Sequence, residues 1–492
     1  MDPRVTVPAA QLLIPAIRWD SQHGFDREKP AIDAALALGV GGFIIFGGEQ
    51  DAVRLLTRDL RTRSRVPLLM GADMERGAGQ QFAGATGLPP LGAIASLDDM
   101  DAVRKSARLT AREARTLGVN WDYAPVCDLD LVPENPIVGT RAFGSDAKTV
   151  AASAAEWITA CQGEGVIACA KHFPGHGRTT VDSHAAMPVV NASKRELLES
   201  DLVPFRAAID AGVASIMTAH VAYPALDESG VPATVSREIL RWFLRESLKF
   251  DGLIVTDALI MEGFRQQGGE AEAATRALDA GCDLLLYPED LQGVAKRLAE
   301  ALDRMELDRD RIGRSYRRRL KWAQWSAPPN DYRRPSLTDV AWGAQLADRV
   351  MHQLRGATAR VGSVAHLMVI DDDLGGPYPA PSREPFTRAL AAAGTQVRKV
   401  DLPRAADAAS TVVLVFGDVR SWKGRAGYSE ETRAAVGRAM EAAPEATVIH
   451  FSHPRLAAEL PEPRNLVCAW GGEAVMQQAA ARWLLRGGRR NT

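Results

Sequence analysis

The sequence predicts an α/β protein, a (β/α)8 TIM barrel followed by a smaller three-layer α/β domain. Three observations carry that expectation. Up to about residue 304, short apolar runs alternate with stretches of helical periodicity. Eight such units fall within about 300 residues, the size of a (β/α)8 barrel. A polar, proline-rich stretch, SAPPNDYRRPS (326–336), then separates them from a second series of alternating strands and helices. The expected division is a barrel over 1–325, a linker over 326–336 and a C-terminal α/β domain over 337–492.

In order, the strand candidates of the barrel are QLLIPAI (11–17), GGFIIFG (41–47), PLLMGAD (67–73), VNWDYAPV (119–126), VIACAKHF (166–173), ASIMTAHV (214–221), GLIVTDA (252–258) and CDLLLYP (282–288). Helical patterns separate them, as in SREILRWFLRESLKF (236–250) and GEAEAATRALDAG (269–281). Alternating β and α units argue for a mostly parallel sheet; a doubly wound open sheet is the alternative. After the linker, a helix (337–354) leads to HLMVIDD (366–372), TVVLVFG (411–417), ATVIHFS (446–452) and NLVCAW (465–470). A barrel carries its functional groups at the C-terminal ends of strands. Asp73, Lys171, His172, His220 and Asp257 all fall at or near such ends.

Composition narrows the function classes. The chain has 492 residues, 46% hydrophobic and 24% charged, and a formal net charge of −2. These are values of a soluble globular protein, and they give no electrostatic case for a nucleic-acid or membrane partner. The basic run RSYRRRLKW (314–322) reads as a solvated helix face. No signal peptide and no spanning segment is evident. Cys127, Cys161, Cys169, Cys282 and Cys468 are scattered, odd in number and mostly set in apolar runs. They read as buried thiols in a reducing compartment, so a cytoplasmic location is expected.

The densest chemistry lies in KHFPGHGRTTVDSH (171–184), where Lys171, His172, His176, Asp182 and His184 follow one apolar strand. Glycines and a proline break regular structure there. An Asp beside a His can fix its tautomer and leave the other ring nitrogen to move a proton. For an isolated DxH, the plainer reading is a polar loop with a capping Asp. A metal site from His172, His176, Asp182 and His184 lacks a helical HxxxH setting and a Cys partner, so no metal is expected. Asp257, in VTDALIMEGF (255–264), can be a helix N-cap or a carboxylate aimed into the barrel mouth. Asp73, in GADMERGAGQQF (71–82), can bind sugar hydroxyls or cap a turn, with Glu75 and Arg76 beside it. Its glycines lack the spacing of a phosphate loop, and GDVRSWKGRAGYS (417–429) lacks that of a dinucleotide motif, so no cofactor is expected. In NPIVGTRAFGSD (135–146), Arg141 stands in a loop, where an exposed surface arginine is the plainer reading.

Together, KHFPGHG followed by DSH, the Asp after the seventh strand, YAPVCDLD (123–130) with its trailing GTRAFG, and Asp73 after PLLMGA resemble family 3 of the glycoside hydrolases. The resemblance is to its bacterial NagZ-type β-N-acetylglucosaminidases and covers about residues 10 to 305. It implies a retaining hydrolase that removes terminal β-linked N-acetylglucosamine in cell-wall turnover. Asp257 would be the nucleophile, and His184 the acid/base paired with Asp182. Asp73, Arg141, Lys171 and His172 match sugar-binding positions, and Arg76 and His220 are further candidates for that site. One position departs from the family: Gln81 stands where a second arginine is common. A His in place of an acid/base carboxylate would repel an anionic acceptor less, which admits phosphate as acceptor and a phosphorylase as an alternative. A β-glucosidase of the same family and a carbohydrate-binding barrel without turnover are the remaining alternatives.

Overall fold

A computed structural model describes residues 9–183, 186–265, 267–326, 336–358, 360–373, 381–420 and 423–488. These residues form two compact units. The first takes in the described residues as far as Thr86, then Val103–Leu129 and the described residues from Ser145 to Ser326. The second takes in Gly87–Ala102, Asp130–Gly144 and the described residues from Ser336 onward. The division expected from the sequence lacked the two excursions, 87–102 and 130–144. Side-chain contacts explain the difference: Ala93 is fully buried in a core that otherwise comes from residues beyond 346, and Asp130 pairs with His453 and Arg455. The expected linker lies, apart from its two end residues, outside the described residues.

The first unit is a closed barrel of parallel strands. β1 runs in two pieces, Leu13–Ile14 and Ala16–Arg18, interrupted by Pro15. Then come β2 (Gly42–Phe46), β3 (Leu69–Ala72), β4 (Trp121–Asp122), β5 (Ile167–Phe173), β6 (Ser215–Thr218), β7 (Leu253–Val255) and β8 (Leu285–Leu286). Neighbours pair in sequence order from β1 to β7. Closure comes at the eighth strand. Val255 bridges to Leu284, and Leu13 and Ile14 pair with Leu285 and Leu286. All eight expected strands are present, and the open-sheet alternative is not what forms. The strand residues are almost all buried, as expected where helices cover a parallel sheet.

The N-terminal face of the barrel is plugged by Arg319, from the helix Arg309–Trp325. This corrects the reading of the basic run as a solvated face. The Arg319 side chain is fully buried and donates to Gln11 Oε1 at 3.1 Å and to the carbonyls of Gly41, at 3.0 Å, and Pro67. Both carbonyls precede strands; Gly41 O also accepts from Leu69 N at 3.0 Å, so the forked donor adds a second bond there and satisfies Pro67 O.

The second unit holds β9 (His352–Arg355), β10 (Val364–Asp371), β11 (Gln396–Lys399), β12 (Thr411–Phe416), β13 (Thr447–Phe451) and β14 (Asn465–Cys468). The sheet order is β9-β14-β13-β12-β10-β11, with β9 antiparallel and the other pairings parallel. Alternate strand residues enter two cores. Val412 and Leu414 meet Phe386, Leu390 and Met476 on one face, whereas Val413 and Val415 meet Val436 and Ala439 on the other. That period of two produces three layers. β9 and β11 were not expected: both edge strands are short and polar, and the helix expected to reach 354 ends at Val350.

Candidate active site

The longest barrel strand, β5, delivers Lys171 and His172 at its C-terminal end, and all seven of its residues are buried. The Lys171–His172 and Phe173–Pro174 peptides are both cis. Lys171 Nζ lies 2.8 Å from Asp73 Oδ1 and 2.7 Å from Glu75 Oε1. The lysine and Glu75 are buried, whereas Asp73 keeps 29% of its side chain exposed. The ammonium is therefore held from within by Glu75 and presents Asp73 to the barrel mouth.

A third carboxyl lies close by. Asp122, the last residue of β4, is fully buried and accepts from Met74 N at 3.3 Å through Oδ1. Its Oδ2 has no hydrogen-bond partner among the described residues. Burial pushes its pKa up to about 8; the Lys171 charge opposes this, while those of Asp73 and Glu75 add to it. The carboxyl is thus neutral at pH 7.

His172 is fixed by Asp128, a fully buried residue of the YAPVCDLD motif. The His172 Nδ1–Asp128 Oδ2 distance is 2.6 Å. Asp128 Oδ1 also accepts the backbone N–H groups of His172 (3.1 Å) and His176 (2.6 Å). Burial raises the Asp128 carboxyl, but its contacts with His172 and His176 outweigh burial and leave its pKa below the usual carboxylate value. In a neutral ring, the carboxylate at Nδ1 fixes the Nδ1–H tautomer of His172. Gly177 permits this loop to cross β4's exit. A Cβ there would lie 2.0 Å from Leu129 O, so no other residue fits without a shift.

Asp257 stands two residues beyond β7, half-buried, and its Oδ1 accepts from Ala258 N at 2.7 Å. The same segment is propped by His220. Its Nε2 lies 3.2 Å from Ala258 O, its Nδ1 2.7 Å from Thr234 Oγ1, and its ring 4.8 Å from that of Phe264. His220 is buried and faces the backbone beside Asp257. Asp182 is also buried, at 3% exposure, and its carbonyl accepts from Ala186 N at 3.1 Å. His184 lies outside the described residues.

The remaining candidates sit as follows. Arg76 donates its backbone N–H to Gln80 Oε1 at 2.8 Å. Gln81 ties two loops together, with Nε2 donating to Asp73 O at 3.2 Å and Oε1 accepting from Gly47 N at 3.1 Å. Arg141 belongs to the second unit and donates to Ile137 O at 3.0 Å. Within the barrel, the structure gathers Asp73, Lys171 and His172 at the ends of β3 and β5, on either side of β4, and sets His220 against the residue after Asp257. Sequence reasoning passed over Glu75, Asp122 and Asp128 as site residues, although Glu75 and Asp128 lie in motifs it singled out and Asp122 in an expected strand.

The barrel and its flanking helix, residues 10–321, match the family model described as the glycosyl hydrolase family 3 N terminal domain. The chain belongs to this family. Among its relatives, a "Beta-N-acetylglucosaminidase/beta-glucosidase" of Cellulomonas fimi is 40% identical over 250 residues, which are 49% of this chain and 44% of that protein. The chain thus matches less than half the length of that relative. A "Beta-hexosaminidase" of Thiobacillus denitrificans is 38% identical over 272 residues, 53% of this chain and 75% of the other. Among solved structures, a family 3 β-N-acetylglucosaminidase from Paenibacillus sp. str. FPU-7 superposes with a TM-score of 0.84 at 27% identity, covering 98% of this chain and 96% of that one. A beta-glucoside phosphorylase also superposes at 0.84, covering 98% of this chain and 92% of its own; at 22% identity this is a likeness of fold alone. Among the described residues, no helix is long and apolar enough to cross a membrane.

Proposed function

We propose that this chain is a retaining glycosidase that releases terminal β-linked N-acetylglucosamine. Asp257 is the nucleophile, and His184, paired with Asp182, is the acid/base. The observation that carries the reading is the setting of Asp257. One carboxylate oxygen is held by the Ala258 N–H, the following carbonyl is held by His220, and the strand end opens toward the mouth of the barrel. A nucleophile must be held in one orientation, and the Ala258 N–H fixes one oxygen of this half-buried carboxyl. Asp73, oriented by Lys171, and His172, oriented by Asp128, supply the sugar-binding floor. The names of the relatives support N-acetylglucosamine as the glycone.

In the first step the Asp257 carboxylate attacks the anomeric carbon while His184 gives a proton to the leaving oxygen. In the second step His184 takes a proton from water, whose oxygen bonds to the anomeric carbon as the glycosyl–Asp257 bond breaks and the carboxylate is released. The test compares Asp257→Ala and His184→Ala on aryl N-acetylglucosaminides. Asp257→Ala abolishes turnover; unchanged turnover removes the nucleophile assignment. His184→Ala slows substrates with poor leaving groups far more than activated ones, and equal losses contradict the acid role. Running the wild-type reaction in phosphate reads the acceptor: a sugar 1-phosphate product marks a phosphorylase, its absence a hydrolase.

A further inference from the structure

The second histidine of KHFPGHG has no part in the chemistry above, yet it is among the most enclosed groups of the barrel. His176 is 1% exposed. Its Nδ1 lies 2.7 Å from Thr179 Oγ1 and its Nε2 3.1 Å from Ser183 Oγ. The Thr179 hydroxyl donates to His176 O at 3.0 Å, so its oxygen is the acceptor for Nδ1–H. Nε2 then carries the lone pair and accepts the proton of the Ser183 hydroxyl. Burial drives the ring toward neutrality, to a pKa of about 4, against the charges of Asp128 and Asp257.

Ser183 is held from a second side. Its carbonyl accepts from Gly263 N at 3.4 Å. Gly263 lies in the short helix Glu262–Arg265, which follows Asp257 by only a few residues. A Cβ on Gly263 would stand 3.1 Å from the carbonyl oxygens of both Ser183 and Ala186. Gln267 Nε2 reaches Met187 Sδ at 3.7 Å on the same side. The loop is thus tied at Ser183 to β5's exit through His176, and to the segment after Asp257 through Gly263.

We infer that His176, Ser183 and Gly263 are positioning residues that latch the loop at Asp182 and Ser183, the residues just before His184 in the sequence, to the segment that follows Asp257. They touch no substrate. They set where that loop stands relative to the nucleophile, and so how well a proton reaches the leaving oxygen. The inference rests on the reading of His184 as acid/base.

Ser183→Ala removes the donor to His176 without adding volume, and Gly263→Ala crowds the second contact. Each is assayed on phenyl and on 2,4-dinitrophenyl N-acetylglucosaminide beside wild type and His184→Ala. Losing one net hydrogen bond predicts a fall of about fivefold in kcat/KM on the phenyl substrate for Ser183→Ala. The activated substrate changes by less than about twofold, since it needs little acid assistance. Amide hydrogen exchange across residues 180–187 quickens in the same variant. Wild-type rates on both substrates, or an equal loss on both, overturn the latch. If His184→Ala itself shows no leaving-group dependence, the acid/base reading fails and the latch fails with it. A selective His184→Ala beside an unaffected Ser183→Ala removes the latch alone. Ser183→Ala decides the matter should Gly263→Ala fail to fold.

Discussion

Asp122 gives the most demanding prediction, because its protonation can be read from stability. The carboxyl is fully buried, has one long hydrogen bond, and shares the vicinity of a single ammonium with Asp73 and Glu75. Its pKa in the fold is about 8, against an ordinary carboxyl value of 3.8. Between those two values the native state holds a proton that the unfolded chain has released. Stability therefore falls as pH rises through that window, by about 1.4 kcal/mol per unit for one group. It levels off once the native carboxyl ionises too. Asp122→Asn is neutral throughout and lacks this slope. Chemical unfolding of both proteins, followed by tryptophan fluorescence, should show the variant gaining on wild type by roughly 4 kcal/mol between about pH 5 and pH 8. Other groups titrate alike in the two proteins and cancel in the difference. Infrared difference spectra provide the direct check, with a protonated carboxyl band in wild type at neutral pH that the variant lacks. Parallel stability curves together with no such band would falsify the neutral assignment.

Two further variants probe the opposite ends of the barrel. Gly177→Ala places a Cβ against Leu129 O, so the loop bearing His176 and Asp182 must move. Displacing catalytic groups by about 1 Å costs roughly a hundredfold in rate, and we expect a loss of that order in kcat/KM with an unchanged far-UV circular dichroism spectrum; full activity refutes the close-approach argument. Arg319→Met strands the Pro67 carbonyl at the other end, whereas Gly41 O keeps the Leu69 N–H. It should lower unfolding stability by about 1–3 kcal/mol for the one carbonyl left unsatisfied. KM at a temperature where the variant is folded should stay at the wild-type value, and a raised KM would contradict a purely structural role for that face.

The strands of the barrel were legible because each is an apolar run bounded by glycine or polar residues, and burial on both faces leaves little ambiguity. The edge strands β9 and β11 were not, since HQLR and QVRK carry no apolar signal and form only by pairing with strands already in place. Within the candidate site, Lys171, His172, Asp73 and Asp257 could be chosen from their places at the ends of apolar runs. Glu75, Asp122 and Asp128 could not, because their importance lies in what they face. A carboxylate two residues from Asp73 has no distinguishing mark until Lys171 arrives from a strand 98 residues away. Arg319 was misread for a related reason. In RSYRRRLKW one arginine of several points inward, and only the position of the helix against the barrel end selects it.

The excursion 130–144 has a consequence for how the chain acquires its structure. Asp130 pairs with His453 and Arg455, and the second of these lies 325 positions further along the chain. Asp99, in the other excursion, pairs with Arg349 at a separation of 250. During synthesis both segments emerge long before the helical segments that carry their partners. The barrel's third and fourth loops must wait, open to solvent and to proteases, until most of the chain has been made. These ion pairs can close only once residues 349 and 455 have been made, although the family 3 match ends at residue 321.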